Sequence, residues 1–392
     1  MKIPITKPFF GPEEMRAVQL PLEGGWVVQG AFVKEFEEKF SAFTGASFSI
    51  ATTSCTTALH IAVKALGLKP GDEVIVPAFT WVSTPNVVEY MGAKPIFCDI
   101  SLNTFNINTK QIESLITPKT VGIIPVHLFG LCAEMDSILE IAKKHHLWVI
   151  EDAACAFGGW YQGHHAGTFG EIGCFSFHPR KSITTGEGGM ITTAQPEIDH
   201  LSRILRDHGA SQTDFDRESI KWAFLLSDYK HLGYNYRMTD IQGALGCVQM
   251  ERAKWILEER SKRAHLYDEL LKDVEWLEVP KVTNGYIHGY QAYVCLFQPQ
   301  ELTLKNVERL HRQRNDLMMR LEEKGISTRQ GTHAPVIQGY YVEKYHLRPE
   351  QFPNAYLADR LSLTLPLYVQ MTETEQVLVI DELKKVFEKN RG

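Results

Sequence analysis

The chain has 392 residues, 44% of them hydrophobic, a length that favours two domains over one compact core. A net charge of −6 with no Lys/Arg block argues against nucleic acid as a partner, and seven scattered cysteines without CxxC spacing argue against a zinc site or a disulfide framework. No run approaches the ~18–20 apolar residues that span a bilayer and the first ten residues carry no apolar leader, so no membrane, no metal and a cytoplasmic location are expected.

In chain order, apolar runs at 48–51, 73–77, 95–99, 121–126, 147–151, 174–177 and 189–193 read as strands. Several are rich in Val and Ile and apolar nearly throughout, the pattern of strands buried on both faces. Amphipathic stretches at 56–68 and 135–145 lie between them, and strands alternating with helices indicate an α/β domain with a mostly parallel sheet. After about Met250 the texture changes to charge-rich helical stretches at 251–273 and 304–324, interrupted by a strand at 290–297 and a loop-rich segment at 329–341. The expected division is a large α/β domain over 1–250 and a smaller C-terminal α+β domain over 251–392. There is no internal repeat and no low-complexity tract.

Five segments carry candidate chemistry. In Phe175-Ser-Phe-His-Pro-Arg-Lys181-Ser-Ile-Thr-Thr-Gly-Glu-Gly-Gly189 a strand ends in Ser176, and Lys181 follows in a loop before a glycine-rich turn. A lysine that attacks an aldehyde must be held close and partly desolvated, so that its neutral form is accessible. An average lysine beside such a turn is a surface residue. In Val149-Ile-Glu-Asp152-Ala-Ala, Asp152 ends a buried strand, where ligands bind in α/β sheets. A carboxylate there can hold a protonated pyridine nitrogen, or can simply cap a helix.

Ala51-Thr-Thr-Ser-Cys55-Thr56-Thr57 runs a strand into a Ser/Thr-rich turn and a helix, a phosphate seat or a well-capped ordinary helix. Trp81, just past a strand end, offers a flat face for stacking on a heteroaromatic ring, although such residues usually belong to the core. Gly233-Tyr-Asn235-Tyr-Arg237-Met-Thr-Asp240 places an amide and a guanidinium where they can meet anionic groups, with Thr239 or Asp240 free to cap the next helix. Together these supply a Schiff-base lysine, a nitrogen partner, a phosphate seat and a ring stacker, which is what pyridoxal 5'-phosphate (PLP) requires.

The sequence also resembles the DegT–StrS family of PLP-dependent nucleotide-sugar aminotransferases, which includes perosamine synthase. The resemblance runs nearly end to end and is carried by Gly24-Gly-Trp-Val-Val-Gln-Gly, Gly71-Asp-Glu-Val-Ile-Val-Pro-Ala-Phe-Thr-Trp, Glu151-Asp-Ala-Ala, Ser176-Phe-His-Pro-Arg-Lys-Ser-Ile-Thr-Thr-Gly-Glu-Gly-Gly and Gly233-Tyr-Asn-Tyr-Arg-Met-Thr-Asp. It implies the aspartate-aminotransferase-like fold type I, with a mostly parallel mixed sheet flanked by helices, and a homodimer with shared active sites.

Lys181 matches the Schiff-base lysine, Asp152 the nitrogen partner and Trp81 the stacking aromatic. Thr56, Thr57 and Ser176 match phosphate ligands, Asn235 an asparagine that reaches the phosphate from the other subunit, and Arg237 a basic residue near the substrate. Cys155 stands where the family commonly has a glutamine that contacts the ring oxygen, and a thiol is a weak donor. Substrate contacts are expected from the 24–30 loop, with Trp26, and from the 329–333 segment, with His333.

The implied reaction moves an amino group from L-glutamate, leaving 2-oxoglutarate, to a nucleotide-linked keto-sugar. The expected acceptor is an NDP-4-keto-6-deoxyhexose aminated at C4, for surface polysaccharide such as lipopolysaccharide O-antigen or for a secondary metabolite. A sugar dehydratase, a cyclitol aminotransferase and a non-catalytic PLP-binding regulatory protein are the alternatives. Dehydratase relatives replace the lysine with histidine, so Lys181 speaks for transamination.

Overall fold

The computed structural model describes residues 2–211 and 228–389. In chain order its strands are β1 (Phe48–Thr52), β2 (Glu73–Pro77), β3 (Lys94–Cys98), β4 (Thr120–Ile123), β5 (Trp148–Asp152), β6 (Trp160–Tyr161), β7 (His164–His165), β8 (Ile172–Ser176), β9 (Gly189–Thr193), β10 (Leu277–Glu278), β11 (Tyr286–Ile287), β12 (Tyr293–Phe297) and β13 (Ser362–Leu365). All seven strands expected in the first half of the chain are present, shifted by a few residues at their ends, and all seven form one sheet in the order β1-β9-β8-β5-β4-β2-β3. Its apolar runs are buried as the sequence implied, β2 along its whole length.

The pairs β2–β3, β2–β4, β4–β5 and β5–β8 are parallel, and β9 runs antiparallel to both β8 and β1. The C-terminal ends of β1, β2, β5 and β8 therefore lie along one edge of the sheet, and reversed β9 brings its first residue, Gly189, to the same edge. β2 lies between β3 and β4, so strand order reverses there, the kind of crevice in which open α/β sheets bind ligands.

Two features of the sheet's surroundings fix that edge. The helix Ala31–Thr44 packs against the helix Asp240–Glu251, where a Cβ on Gly246 would come within 2.8 Å of the Phe36 ring, so the small-residue face permits the approach. The outer polar groups of edge strand β1 are taken by side chains. Glu37 Oε1 accepts from Ala51 N–H (2.8 Å), Arg203 donates to the Ser49 carbonyl (3.0 Å) and Arg206 to the Ala51 carbonyl (2.7 Å). An edge covered in this way offers no free ladder to another chain.

In the second half of the chain, β10, β12 and β13 form a separate antiparallel sheet. It packs with the helices Ala253–Leu271, Val307–Glu323, Pro353–Leu361 and Glu373–Lys389. The helical stretch expected from residue 251 begins at Ala253, separated from the preceding helix by Arg252. The strand expected from Tyr290 begins at Tyr293, because Tyr290 has φ +42° and gives its N–H to His288 Nδ1 (2.8 Å). The chain's own start joins this part, with Ile3 bridging Ile326. Among the described residues no helix is long and apolar enough to cross a membrane.

Candidate active site

The candidate residues converge on the shared sheet edge. Asp152, the last residue of β5, is buried, and its Oδ2 accepts from the Thr84 hydroxyl (2.7 Å) while Oδ1 accepts from Ala154 N–H (3.2 Å). The Cys55 thiol lies 3.9 Å from the same carboxylate. Burial pushes the Asp152 pKa above its ordinary range, and the Thr84 and Ala154 donors recover only part of that cost. Among the described residues no Lys, Arg or His forms an ion pair with Asp152. A buried carboxylate with no contact ion pair of its own is suited to a protonated ring nitrogen.

Lys181 lies in the loop after β8, half-buried, with its Nζ donating to Cys155 Sγ at 3.1 Å. Burial pulls the amine's pKa down. The adjacent Cys155 sulfur, by charge and hydrogen bond, together with Cys55 and Asp152 opposes it, and the net direction is up. The Cys55 thiol is itself pushed well above its ordinary range, chiefly by burial and next by the charge of Asp152. Desolvation alone suggested a lysine with an accessible neutral form; the negative surroundings reverse that direction.

The helix Cys55–Ala65 begins at the same edge. Ser54 caps it, accepting from Thr57 N–H (3.2 Å), and the Thr57 hydroxyl turns back to donate to the Ser54 carbonyl (2.8 Å). The Thr57 side chain thus serves the cap. The Thr56 hydroxyl sits 2.8 Å from the Ser83 hydroxyl, and the N–H groups of Cys55 and Thr56 precede the first intrahelical donor, Ala58 N–H. A Cβ on Gly189 would come within 2.3 Å of the Ser54 carbonyl oxygen, so β9 abuts this helix start, next to its ladder partner Ser176. A phosphate fits such a seat, since N–H groups and the positive end of the helix dipole point at it.

Trp81 is 58% exposed, and its ring centroid lies 5.8 Å from that of His333. The two are tied by the main chain, with Thr80 N–H donating to the His333 carbonyl (2.9 Å). The remaining candidates have contacts of their own. Arg237 pairs with Asp207, Asn235 bridges Asp207 through its backbone with its side chain exposed, and the Trp26 indole donates to the Gln29 carbonyl (3.1 Å). Thr239 caps its own helix, whereas the Asp240 carboxylate accepts from Gly30, Phe32 and Val33 N–H groups and so caps the helix Ala31–Thr44.

Sequence reasoning missed Ser83, Thr84 and Cys55, although Val82-Ser83-Thr84 directly follows Trp81. Two hydroxyls opening a helix just past a strand end were the available signal. A cavity of about 530 Å³ beside β1, lined by Lys34, Glu37, Arg203 and Arg206 among others, contains none of the candidate residues around Lys181.

The seven-stranded sheet with one reversed strand, its helical flanks and a lysine beside a buried aspartate at the C-terminal edge define the class of PLP-dependent transferases of fold type I. Residues 9–384 match the DegT/DnrJ/EryC1/StrS aminotransferase family, and the chain belongs to it. It is 36% identical to the GDP-perosamine synthase of Caulobacter vibrioides over 387 residues, 98% of each chain. Among solved structures it is similar to Spr1654 of Streptococcus pneumoniae in its PLP-form (TM-score 0.90, 27% identity, 99% of both chains). It is also similar to Helicobacter pylori PseC, an aminotransferase involved in the biosynthesis of pseudoaminic acid (TM-score 0.90, 25% identity, 99% of this chain and 100% of that one).

Proposed function

We propose that this aminotransferase moves the amino group of L-glutamate to C4 of a nucleotide-linked 4-keto-6-deoxyhexose, with PLP as cofactor and a homodimer as the working unit. The observation that carries the reading is that Lys181, bonded to Cys155, and the buried Asp152 lie at one sheet edge, close enough to interact by charge. The GDP-perosamine synthase relative supports the sugar class.

When bound, PLP supplies an electron sink for the charge left as a proton leaves the donor's α-carbon. Lys181 would hold the cofactor and, once the donor's amine has displaced it, its free amine would take the proton from the donor's α-carbon. Asp152 keeps a proton on the pyridine nitrogen. The start of the helix Cys55–Ala65, with Thr56 and Ser176, seats the phosphate, and Trp81 covers the ring. Thr57 contributes through the cap, Cys155 would face the ring oxygen, Asn235 would reach the phosphate of the partner's site, and Arg237 would lie near the substrate. Trp26 and His333 meet the sugar nucleotide. Glutamate leaves as 2-oxoglutarate, and the nitrogen passes to the keto-sugar as the steps reverse.

The visible spectrum of the purified protein before and after L-glutamate tests the first half. A yellow protein should bleach, and one that stays yellow would overturn glutamate as donor. With ¹⁵N-glutamate and NDP-4-keto-6-deoxyhexoses, the label should appear in a sugar product; an unlabelled deoxygenated product would point to a dehydratase instead.

A further inference from the structure

Next to Asp152 lies a second buried carboxylate. Glu151 and His127 are both completely buried, and His127 Nε2 lies 2.8 Å from Glu151 Oε2. His127 Nδ1 accepts from Ala133 N–H (3.0 Å), so the ring's proton sits on Nε2 and is donated to the carboxylate. Glu151 Oε2 also accepts from Gly167 N–H (2.7 Å), and Oε1 from Phe169 (2.7 Å) and Gly170 (2.8 Å) N–H groups. His127 grips the next residue as well, because its main-chain N–H donates to the Asp152 carbonyl (3.0 Å). Asp152 N–H in turn donates to the Pro125 carbonyl (2.9 Å).

Residues 151 and 152 are successive in a strand, so their side chains leave opposite faces. One histidine thus holds the dipeptide on both faces' behalf: its side chain anchors Glu151, and its backbone fixes the peptide plane from which the Asp152 carboxylate departs. A fully buried carboxylate–imidazole pair is weak evidence for added stability, since apolar residues of similar volume often serve as well. Its use is in specifying one geometry.

We propose that His127 is a positioning residue for Asp152, acting through Glu151 and its own main chain to aim the Asp152 carboxylate at the cofactor's ring nitrogen. The proposal rests on the reading of Asp152 as that nitrogen's partner. A displacement of about 1 Å at a reacting group can cost ~10²-fold in rate.

Asparagine reproduces the Nδ1 acceptor and glutamine the Nε2 donor. His127→Asn therefore loses the link to Glu151, whereas His127→Gln keeps it. Each variant is stripped of cofactor and reloaded, and the PLP dissociation constant is read from the visible band. The rate and KM of bleaching by L-glutamate are then measured.

His127→Asn should weaken PLP binding and slow bleaching by about 10- to 100-fold, with KM for glutamate nearly unchanged, and His127→Gln should recover most of both. A His127→Asn protein with a lowered Tm but normal PLP affinity and bleaching rate would overturn the proposal, as would equal losses in both variants. If His127→Asn does not fold, Glu151→Gln carries the same test, and normal PLP affinity and rate there would overturn it equally. Asp152→Asn serves as the control: a fully active control would sink the reading of Asp152 itself, independently of His127.

Discussion

Asp152 ends one strand and Trp81 follows another at the same sheet edge, yet the chain treats them oppositely. Asp152 is 4% exposed, gripped by Thr84 and Ala154 at its carboxylate and by Pro125 and His127 at its backbone. Trp81 is 58% exposed, with the His333 ring beside it and a main-chain bond from Thr80 to His333 beneath it. The inner end has its side chains fixed in a low-dielectric setting where charge and hydrogen bonds act strongly. The outer end has only its backbone fixed and leaves its side chains to the solvent and to what binds there. In the proposed reaction the inner end meets the cofactor's ring nitrogen, and the outer end covers the ring with Trp81 and meets the sugar nucleotide with His333. Changes at the inner end should therefore reduce kcat, and changes outside should act on affinity.

The largest effect should come from Lys181→Ala. Turnover should fall by at least ~10²–10⁴-fold, the contribution of one positioned acid–base group, with loss of the tether adding to it. The assay is 2-oxoglutarate release from glutamate at saturating acceptor, and wild-type turnover would erase the contrast between the two ends at once. Asp152→Asn should follow, with a loss nearer the lower limit of that range and KM for glutamate little changed.

The same substitution has a signature in pH. Burial raises the Asp152 pKa from an ordinary value of 3.8, so the unfolded chain releases this proton at lower pH than the folded one. Its contribution to stability is present below 3.8 and is lost as pH rises through the folded value. In protein stripped of cofactor, Asp152→Asn should flatten the decline of Tm over that rise, and an unchanged slope would mean that Asp152 is not the perturbed group.

The inner end was the more legible in sequence, and the reason is physical. A buried parallel sheet forces Val- and Ile-rich runs at 73–77 and 147–151, and the chemistry at the end of each run must use the next few residues. Lys181, Asp152 and Thr56 were found that way, and the structure brings them together. Partners supplied from elsewhere in the chain were hidden. The Thr84 hydroxyl on Asp152, the His127 ring on Glu151 and the Asp240 carboxylate at the start of the helix Ala31–Thr44 are separated from their partners by 68, 24 and 207–210 positions. No periodicity or spacing encodes such contacts. Thr57 is ambiguous for the opposite reason: a threonine in the first helical turn serves a phosphate or a cap equally well in sequence, and in the structure its hydroxyl closes the capping box.

Trp81→Ala separates the two ends most finely, because an exposed side chain can be removed without opening the core. Stacking of one aromatic pair contributes about 0.5–1.5 kcal/mol beyond the area it covers, so PLP affinity should fall roughly 2- to 10-fold. Trp81→Phe should recover most of that loss, since a smaller ring still offers a face. The Tm of the stripped protein should move little, because a side chain already 58% in water gives up little burial when truncated. Unchanged PLP affinity would remove Trp81 from the cofactor and leave it to the substrate alongside His333. A large drop in Tm with no change in affinity would show instead that the Trp81–His333 contact joins the two halves of the fold, and the division between a fixed inner end and an open outer one would then fail at its outer member.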